Sequence, residues 1–416
     1  MTVKKTENIL DDNWSDLNVS PYQKQKGVLG FKLVLVLGML SAIGALSTDM
    51  YLPLFPAMSH ALITTQAGIQ LSLTSFMVGL AIGQLIIGPW SDVIGRRNLL
   101  LGGMVLLTVA SIACSFSSSI EMLIISRFFQ GAGGASGIVL TRAIVSDLSF
   151  GNKAAYYFNL MLAIQGVAPI VAPLMGGIAA HFPWPVVFVF LAVISLTLTI
   201  LTFAYVPESL PNKSAYSGIK NSVVKQFFKL FRNKIYMGYT LIFSATFGAL
   251  FAYISVSPFI YQSMFNFTPG FFSVVFAINA GIMMSSSILS ARWVERIGAK
   301  MLIKVGVVTT FALSCLLLIV NYLSVYQLEL TTAIFMMLMF TMALIFGNAA
   351  SLALTAVPDL RGAGSAVLGA LQFGTASLTA FLTGLGKSVS LFPVSIVLIG
   401  CGIITLFSLI LVRVRR

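Results

Sequence analysis

Two charged residues bound what chemistry this chain can perform. It has 12 acidic and 25 basic residues, and only Asp49 and Arg127 fall well inside long apolar runs. A charge at the centre of a bilayer costs about 2.5–3.5 kcal/mol on insertion scales, so each needs a use. Desolvation favours the neutral form of a carboxyl group, and a neighbouring guanidinium favours the charged form. A conformational change that alters either influence can therefore load and unload a proton. On that basis Asp49 is expected to be the titrating proton carrier, with Arg127 tuning it and ordering a polar network around it. A static ion pair between helices would use the same two residues without transport. Other chemistries lack material: Cys114, Cys315 and Cys401 are isolated in apolar runs, and His60 and His181 lie in short polar breaks. There is no His-x-x-x-His, no paired carboxylate motif and no Gly-Lys-Ser/Thr nucleotide loop. No enzyme activity, metal, cofactor or ATP drive is expected.

The elements that must position these charges are membrane helices. The chain of 416 residues is 58% hydrophobic and only 9% charged, against about 25% charged in soluble domains, and its mean hydropathy is +0.96. A helix crosses the hydrocarbon core with about 20 apolar residues. Runs of that kind fall near 31–58, 67–89, 98–117, 120–142, 154–180 and 184–206, then near 235–262, 268–291, 301–321, 327–357, 361–385 and 391–412. The fold class expected is an all-α integral membrane protein with two six-helix bundles. The bundles, 31–206 and 235–416, are flanked by a polar tail over 1–30 and a basic linker over 207–234. The tail is no signal peptide, because the run after it is too long and lacks a small-residue cleavage site. With the first span running outward and the fourth inward, Asp49 and Arg127 both lie roughly 10–14 Å from the outer face at 1.5 Å per residue.

Charge sets the orientation. With both termini in the cytosol, 23 of the 25 basic residues are cytosolic, from Lys4, Lys5, Lys24 and Lys26 in the tail to Arg413, Arg415 and Arg416 at the end. Only Lys387 is outside and only Arg127 is within a span. This is the positive-inside rule, so the net charge of +13 reports topology and no nucleic-acid partner is implied. The halves are also related in sequence: at a shift of 203 residues, Trp90 meets Trp293, Asp92 meets Glu295, Gly95 meets Gly298 and Arg97 meets Lys300.

The loop after the second run reads Gly88-Pro89-Trp90-Ser91-Asp92-Val93-Ile94-Gly95-Arg96-Arg97. Gly88 is expected to let two helices approach, Gly95 to make the turn, and Asp92 to engage a helix N-terminus or an arginine when the cytosolic side closes. With Arg96 and Arg97 it forms a switch loop that resembles the signature of the major facilitator superfamily. Arg127-Phe-Phe-Gln130-Gly131-Ala-Gly133-Gly134 resembles that superfamily's intramembrane arginine motif. The stretch containing Gly166, Pro169, Pro173, Gly176 and Gly177 is similar to the antiporter motif of drug exporters, with Ala168 where a glycine is usual. The first run ends Asp49-Met50-Tyr51-Leu52-Pro53-Leu54-Phe55-Pro56. Together with Tyr253 to Gln262 it looks like the Bcr/CflA group of drug-resistance exporters. That resemblance implies a proton-driven exporter of drug-like or amphipathic small molecules in a bacterial inner membrane, working as a monomer. It leaves the substrate unnamed.

Uncharged polar residues within the runs, namely Gln84, Gln130, Asn159, Gln165, Asn279, Asn348 and Gln372, either line the substrate path or bond across helices. Tyr51, Tyr253 and Tyr261 either stack on a flat substrate or belong to the interfacial aromatic belt. Transport of one physiological metabolite (an amino acid, sugar or siderophore), or a non-transporting sensor of the same fold, is the alternative.

Overall fold

The computed structural model describes residues 30–149, 151–210, 220–323, 327–386 and 390–413. The expected cytosolic tail, the linker stretch 211–219 with Lys213, and Lys387, Arg415 and Arg416 lie outside the described residues. Among those described there are helices and no strands, and twelve helical spans are long and apolar enough to cross a membrane. The first comprises α1 (Phe31–Asp49), a single 3-10 turn (Leu52–Leu54) and the short α2 (Phe55–Ala61). It is followed by α3 (Gln66–Ile94), α4 (Arg96–Ser115), α5 (Ile120–Leu148), α6 (Gly151–Ala179) and α7 (Val186–Tyr205). The linker carries α8 (Lys220–Arg232), and the second set is α9 (Lys234–Phe259), α10 (Pro269–Ile297), α11 (Ala299–Tyr322), α12 (Leu328–Thr355), α13 (Arg361–Gly384) and α14 (Phe392–Arg413).

Local sequence explains the starts. Thr65, Ser119 and Thr268 each accept a hydrogen bond from a backbone N–H in the first turn of the following helix, and Asn233 accepts two. These side chains satisfy N–H groups that no helical partner reaches. For α5 the cap is Ser119, whereas the spacing of Ser118 and Glu121 suggests a capping box. The apolar runs also underestimate helix length at the basic end of the molecule. Asp92 lies inside α3, Arg142 inside α5, and Arg292 and Arg296 inside α10, because long charged side chains on a terminal turn can reach water while the backbone stays helical.

Within the first set, α3 and α4 pack on α5, α1 packs on α6 and α5, and α4 packs on α7. In the second set α9 packs on α13, α14 and α12, while α11 packs on α12 and α14. The two sets meet through α3 against α13 and α6 against α10. Small residues make these approaches possible: a methyl group at Gly79 of α3 would strike the Phe128 carbonyl of α5.

The turn that joins α3 to α4 recurs between α10 and α11, with Gly95 at φ 110° and ψ 149° and Gly298 at φ 83° and ψ 145°. That region of backbone space is essentially restricted to glycine. Gly88 does not have the role expected of it. A methyl group there would meet nothing within 4 Å, because the close approaches of α3 are made nearer its middle. Replacing Gly95 with alanine is therefore expected to cost about 1–3 kcal/mol, and Gly88→Ala to be near neutral. Thermal melts of the two purified variants check this, and equal losses would contradict it.

Candidate functional site

The first span breaks where its carboxylate lies. The helical pattern ends with the Met50 N–H bonded to the Leu46 carbonyl at 3.2 Å, and the next backbone bond runs from Leu54 to Tyr51. Pro53 and Pro56 lack the N–H groups that would carry a regular helix onward. The Ser47 carbonyl would meet the N–H of Tyr51 in a continuous helix, and here it is released. Arg127 of α5 takes that place, donating from Nη1 to the Ser47 carbonyl at 3.0 Å. The guanidinium thus lies level with the end of α1, two residues from Asp49, as a cation at a helix C-terminus.

Arg127 is wholly buried and Asp49 is 4% exposed, yet the two are not joined. Neither has an ion-pair partner among the described residues. The freed Ser47 carbonyl and a neighbouring amide take Nη1 in place of the expected contact, while Nε and Nη2 of Arg127 have no hydrogen-bond partner among the described residues. Gln130 accepts from Nη1 of Arg127, and its own Nε2 donates to Ser111 Oγ at 2.7 Å. The flat faces are covered by rings: the guanidinium carbon lies 4.3 Å from the Tyr51 centroid and 4.2 Å from that of Phe76. Cation–π attraction of this kind partly replaces hydration. Asp49 is left with the Thr48 hydroxyl beside it, enclosed and without an ion-pair partner among the described residues.

The antiporter-motif stretch meets this break directly. A methyl at Gly176 would collide with the Met50 carbonyl and lie 3.1 Å from Pro53 Cδ. One residue on, a methyl at Gly177 would lie 2.6 Å from Ser273 Oγ of α10. Pro169 and Pro173 sit within an uninterrupted α6. The same end of the molecule is closed by hydrogen bonds from Gln262 to the Pro53 carbonyl and from Gln70 to the Ser255 carbonyl, both 3.0 Å, and by Phe55 against Phe259. Toward the basic end the contact loosens. A methyl at Gly166 would find only Met284 Sδ, at 3.9 Å, and farther along that stripe of α10 Ile288, Arg292 and Glu295 are exposed.

At the basic end the switch loop is held by acids from elsewhere in the first set. Arg96 pairs with Asp92 and, at 3.1 Å, with Asp147 at the end of α5, which also accepts from Ser209. Glu208, just beyond α7, accepts from the backbone N–H groups of Arg96 and Arg97 at 2.9 and 3.3 Å, and so caps α4. Arg97 donates to the Phe203 carbonyl at 2.7 Å. Of the two partners expected for Asp92, the arginine is present, but the pairing does not follow closure. It is made within the loop while the α6–α10 contact loosens at this end. The helix N-terminus belongs to Glu208. Asp147 and Glu208 escape a reading of the loop alone. Asking which of the few acids balances Arg96 would have found them.

The remaining candidates divide. Gln130 and Tyr51 are sealed in the Arg127 cluster, where Tyr51 shares a 3.3 Å hydrogen bond with Ser72. Tyr253 and Asn279 bond to each other at 3.0 Å in the second set's core, and Asn348 donates to Ser290. All five are buried within the helix packing, where Asn279 Oδ1 is left without a hydrogen-bond partner among the described residues. Asn159 is exposed, while Gln165 and Gln372 are half-buried. A ring cluster unmarked by sequence also emerges. Phe243 and Phe247 of α9 meet Phe346 of α12, Phe247 also meets Phe373 of α13 and Phe251, and Phe247 and Phe346 are half-buried. Its signal is the spacing of three phenylalanines at every fourth residue.

The Major Facilitator Superfamily family model matches residues 37–380. The chain is 34% identical to the Bacillus subtilis protein named "Uncharacterized MFS-type transporter YdgK", covering 89% of this chain and 92% of the relative. It is 26% identical to the Haemophilus influenzae "Bicyclomycin resistance protein homolog", covering 91% and 95%. Other relatives are named for chloramphenicol and multidrug resistance. The crystal structure of D-xylose-proton symporter superposes with a TM-score of 0.72 at 13% identity, covering 90% of this chain and 97% of that one, which establishes the fold. The protein is thus a multi-pass membrane transporter and not an enzyme. It belongs to the Major Facilitator Superfamily, and its relatives include proteins named for bicyclomycin, chloramphenicol and multidrug resistance.

Because a lysine cannot bond Ser47 and Gln130 while stacking flat on two rings, Arg127→Lys is expected to destabilise the protein by about 1.5–3 kcal/mol, little better than Arg127→Met. Thermal melts of both variants read this out, and a lysine variant as stable as the parent would refute the planar role.

Proposed function

We propose that the protein is a secondary active exporter of drug-like or amphipathic toxic compounds, driven by proton antiport across the bacterial inner membrane, with both termini in the cytosol. The observation that carries this reading is a buried, unpaired carboxylate at a break in the first span, beside the contact of that span with the Gly/Pro-rich α6. The names of relatives, which refer to bicyclomycin and chloramphenicol resistance, support export as the direction.

In this reading the basic end is cytosolic, and the conformation is closed outside and open inside. Asp49 carries the proton inward. Substrate entering from the cytosol competes for the same space and favours its release, and a switch that rearranges the Arg127 cluster changes the carboxylate's surroundings again. Asn159, Gln165 and Gln372 supply hydrogen bonds, and the half-buried Phe247 and Phe346 give a flat apolar surface for a ring system. One proton crossing 100 mV supplies about 2.3 kcal/mol, enough for more than a tenfold gradient of a neutral compound. The switch loop, with Asp92, Arg96 and Arg97 tied to Asp147 and Glu208, holds the first set rigid as the sets rock.

Vesicles containing the purified protein, given an imposed pH gradient, should accumulate bicyclomycin or chloramphenicol. Asp49→Asn should lose uphill transport while keeping passive substrate exchange. If Asp49→Asn retains full proton-coupled accumulation, the carrier assignment is wrong. If the parent accumulates neither compound, nor any of a broader amphipathic panel, the exporter reading fails.

A further inference from the structure

The second copy of the loop keeps the backbone of the first and loses its charge balance. Gly298 repeats the turn of Gly95, but Arg96 corresponds to Ala299 at the shift of 203, so Glu295 has no arginine four residues on. Arg292 and Arg296 have no ion-pair or hydrogen-bond partner among the described residues, and both are exposed. In the first copy, by contrast, Arg96 and Arg97 are each engaged.

These two arginines line a cavity of about 510 Å³ with Ile288, Leu289, Trp293 and Glu295. All of these residues belong to α10, which packs against α6 at its opposite end, where Gly177 meets Ser273. Ile288 is exposed and apolar, Trp293 has the amphipathic ring found at membrane interfaces, and Arg292 and Arg296 lie on either side of it in the sequence of the helix.

We propose that this crevice binds the headgroup of an anionic phospholipid from the surrounding leaflet. Arg292 and Arg296 form charge-assisted bonds to the phosphodiester, Glu295 accepts from headgroup hydroxyls, and the acyl chains run along Ile288 and Leu289. A phosphatidylglycerol satisfies all three, because it joins a phosphate to a glycerol with free hydroxyl groups.

The test is native mass spectrometry of the full chain in detergent, titrated separately with dioleoyl phosphatidylglycerol, phosphatidylethanolamine and phosphatidylcholine. Phosphatidylglycerol should bind most tightly. Each cationic side chain at a membrane surface is worth roughly 5-fold, so the double variant Arg292→Gln/Arg296→Gln should weaken it about 25-fold. Lys32→Gln/Lys229→Gln removes the same charge elsewhere and should have little effect. Arg292→Lys/Arg296→Lys should retain most of the binding, and should the double glutamine variant fail to fold, each single variant should still show roughly a 5-fold loss. Equal loss in the Lys32/Lys229 control would overturn the proposal, as would equal or tighter binding of phosphatidylethanolamine or phosphatidylcholine. Displacement of the lipid by millimolar inorganic phosphate would overturn it in favour of a soluble anion.

Discussion

A guanidinium held inside a membrane without a paired carboxylate is the interaction on which the first half of this transporter depends. Arg127 is wholly enclosed, and it is kept there by a helix end, an amide and two flat rings. None of these carries a full charge, so the positive charge is solvated by dipoles and quadrupoles. The break after Asp49 is what makes this possible, since an unbroken first span would have used the Ser47 carbonyl itself. Proline in that stretch, glycine at position 176 and arginine at position 127 are therefore parts of one device: the prolines open the helix, the glycine makes room for the opening, and the arginine caps it. Asp49 is consequently left without a fixed counter-ion among the described residues, as the proposed proton-carrier role requires.

The two ends of the molecule are built from different forces. Away from the basic loops, the sets meet through small residues and backbone-directed hydrogen bonds, with Gly177 on Ser273 and Gln262 on Pro53. Such contacts are short-range and can be made or broken together. At the basic end, ion pairs and a carboxylate cap lock α3, α4, α5 and the stretch after α7 into one body. The equivalent turn of the second set lacks that lock. The asymmetry gives the first set a stiffer base, on the side that also carries Asp49 and Arg127.

The architecture was legible because its signals are local or periodic. Twelve apolar runs gave twelve spans, and the loop repeat at a shift of 203 aligns Gly95 with Gly298, which share a backbone conformation. The site was legible only as a list of residues. That Arg127 caps α1 and does not clasp Asp49 depends on a backbone break whose position two prolines hint at without specifying. Glu208 reaches Arg96 across 112 residues of chain, a distance at which no spacing rule operates. Tyr51 and Gln130 looked like pocket residues because they are polar within a span. The same property suits them to a sealed network, and only packing separates the two uses.

The central claim is that Asp49 holds a proton which substrate displaces. Proton release on adding bicyclomycin or chloramphenicol to the purified, weakly buffered protein near neutral pH measures this directly. The account predicts close to one proton released per substrate bound, and none from Asp49→Asn that still binds substrate. Undiminished release from that variant would mean that the exchanged proton resides on another group.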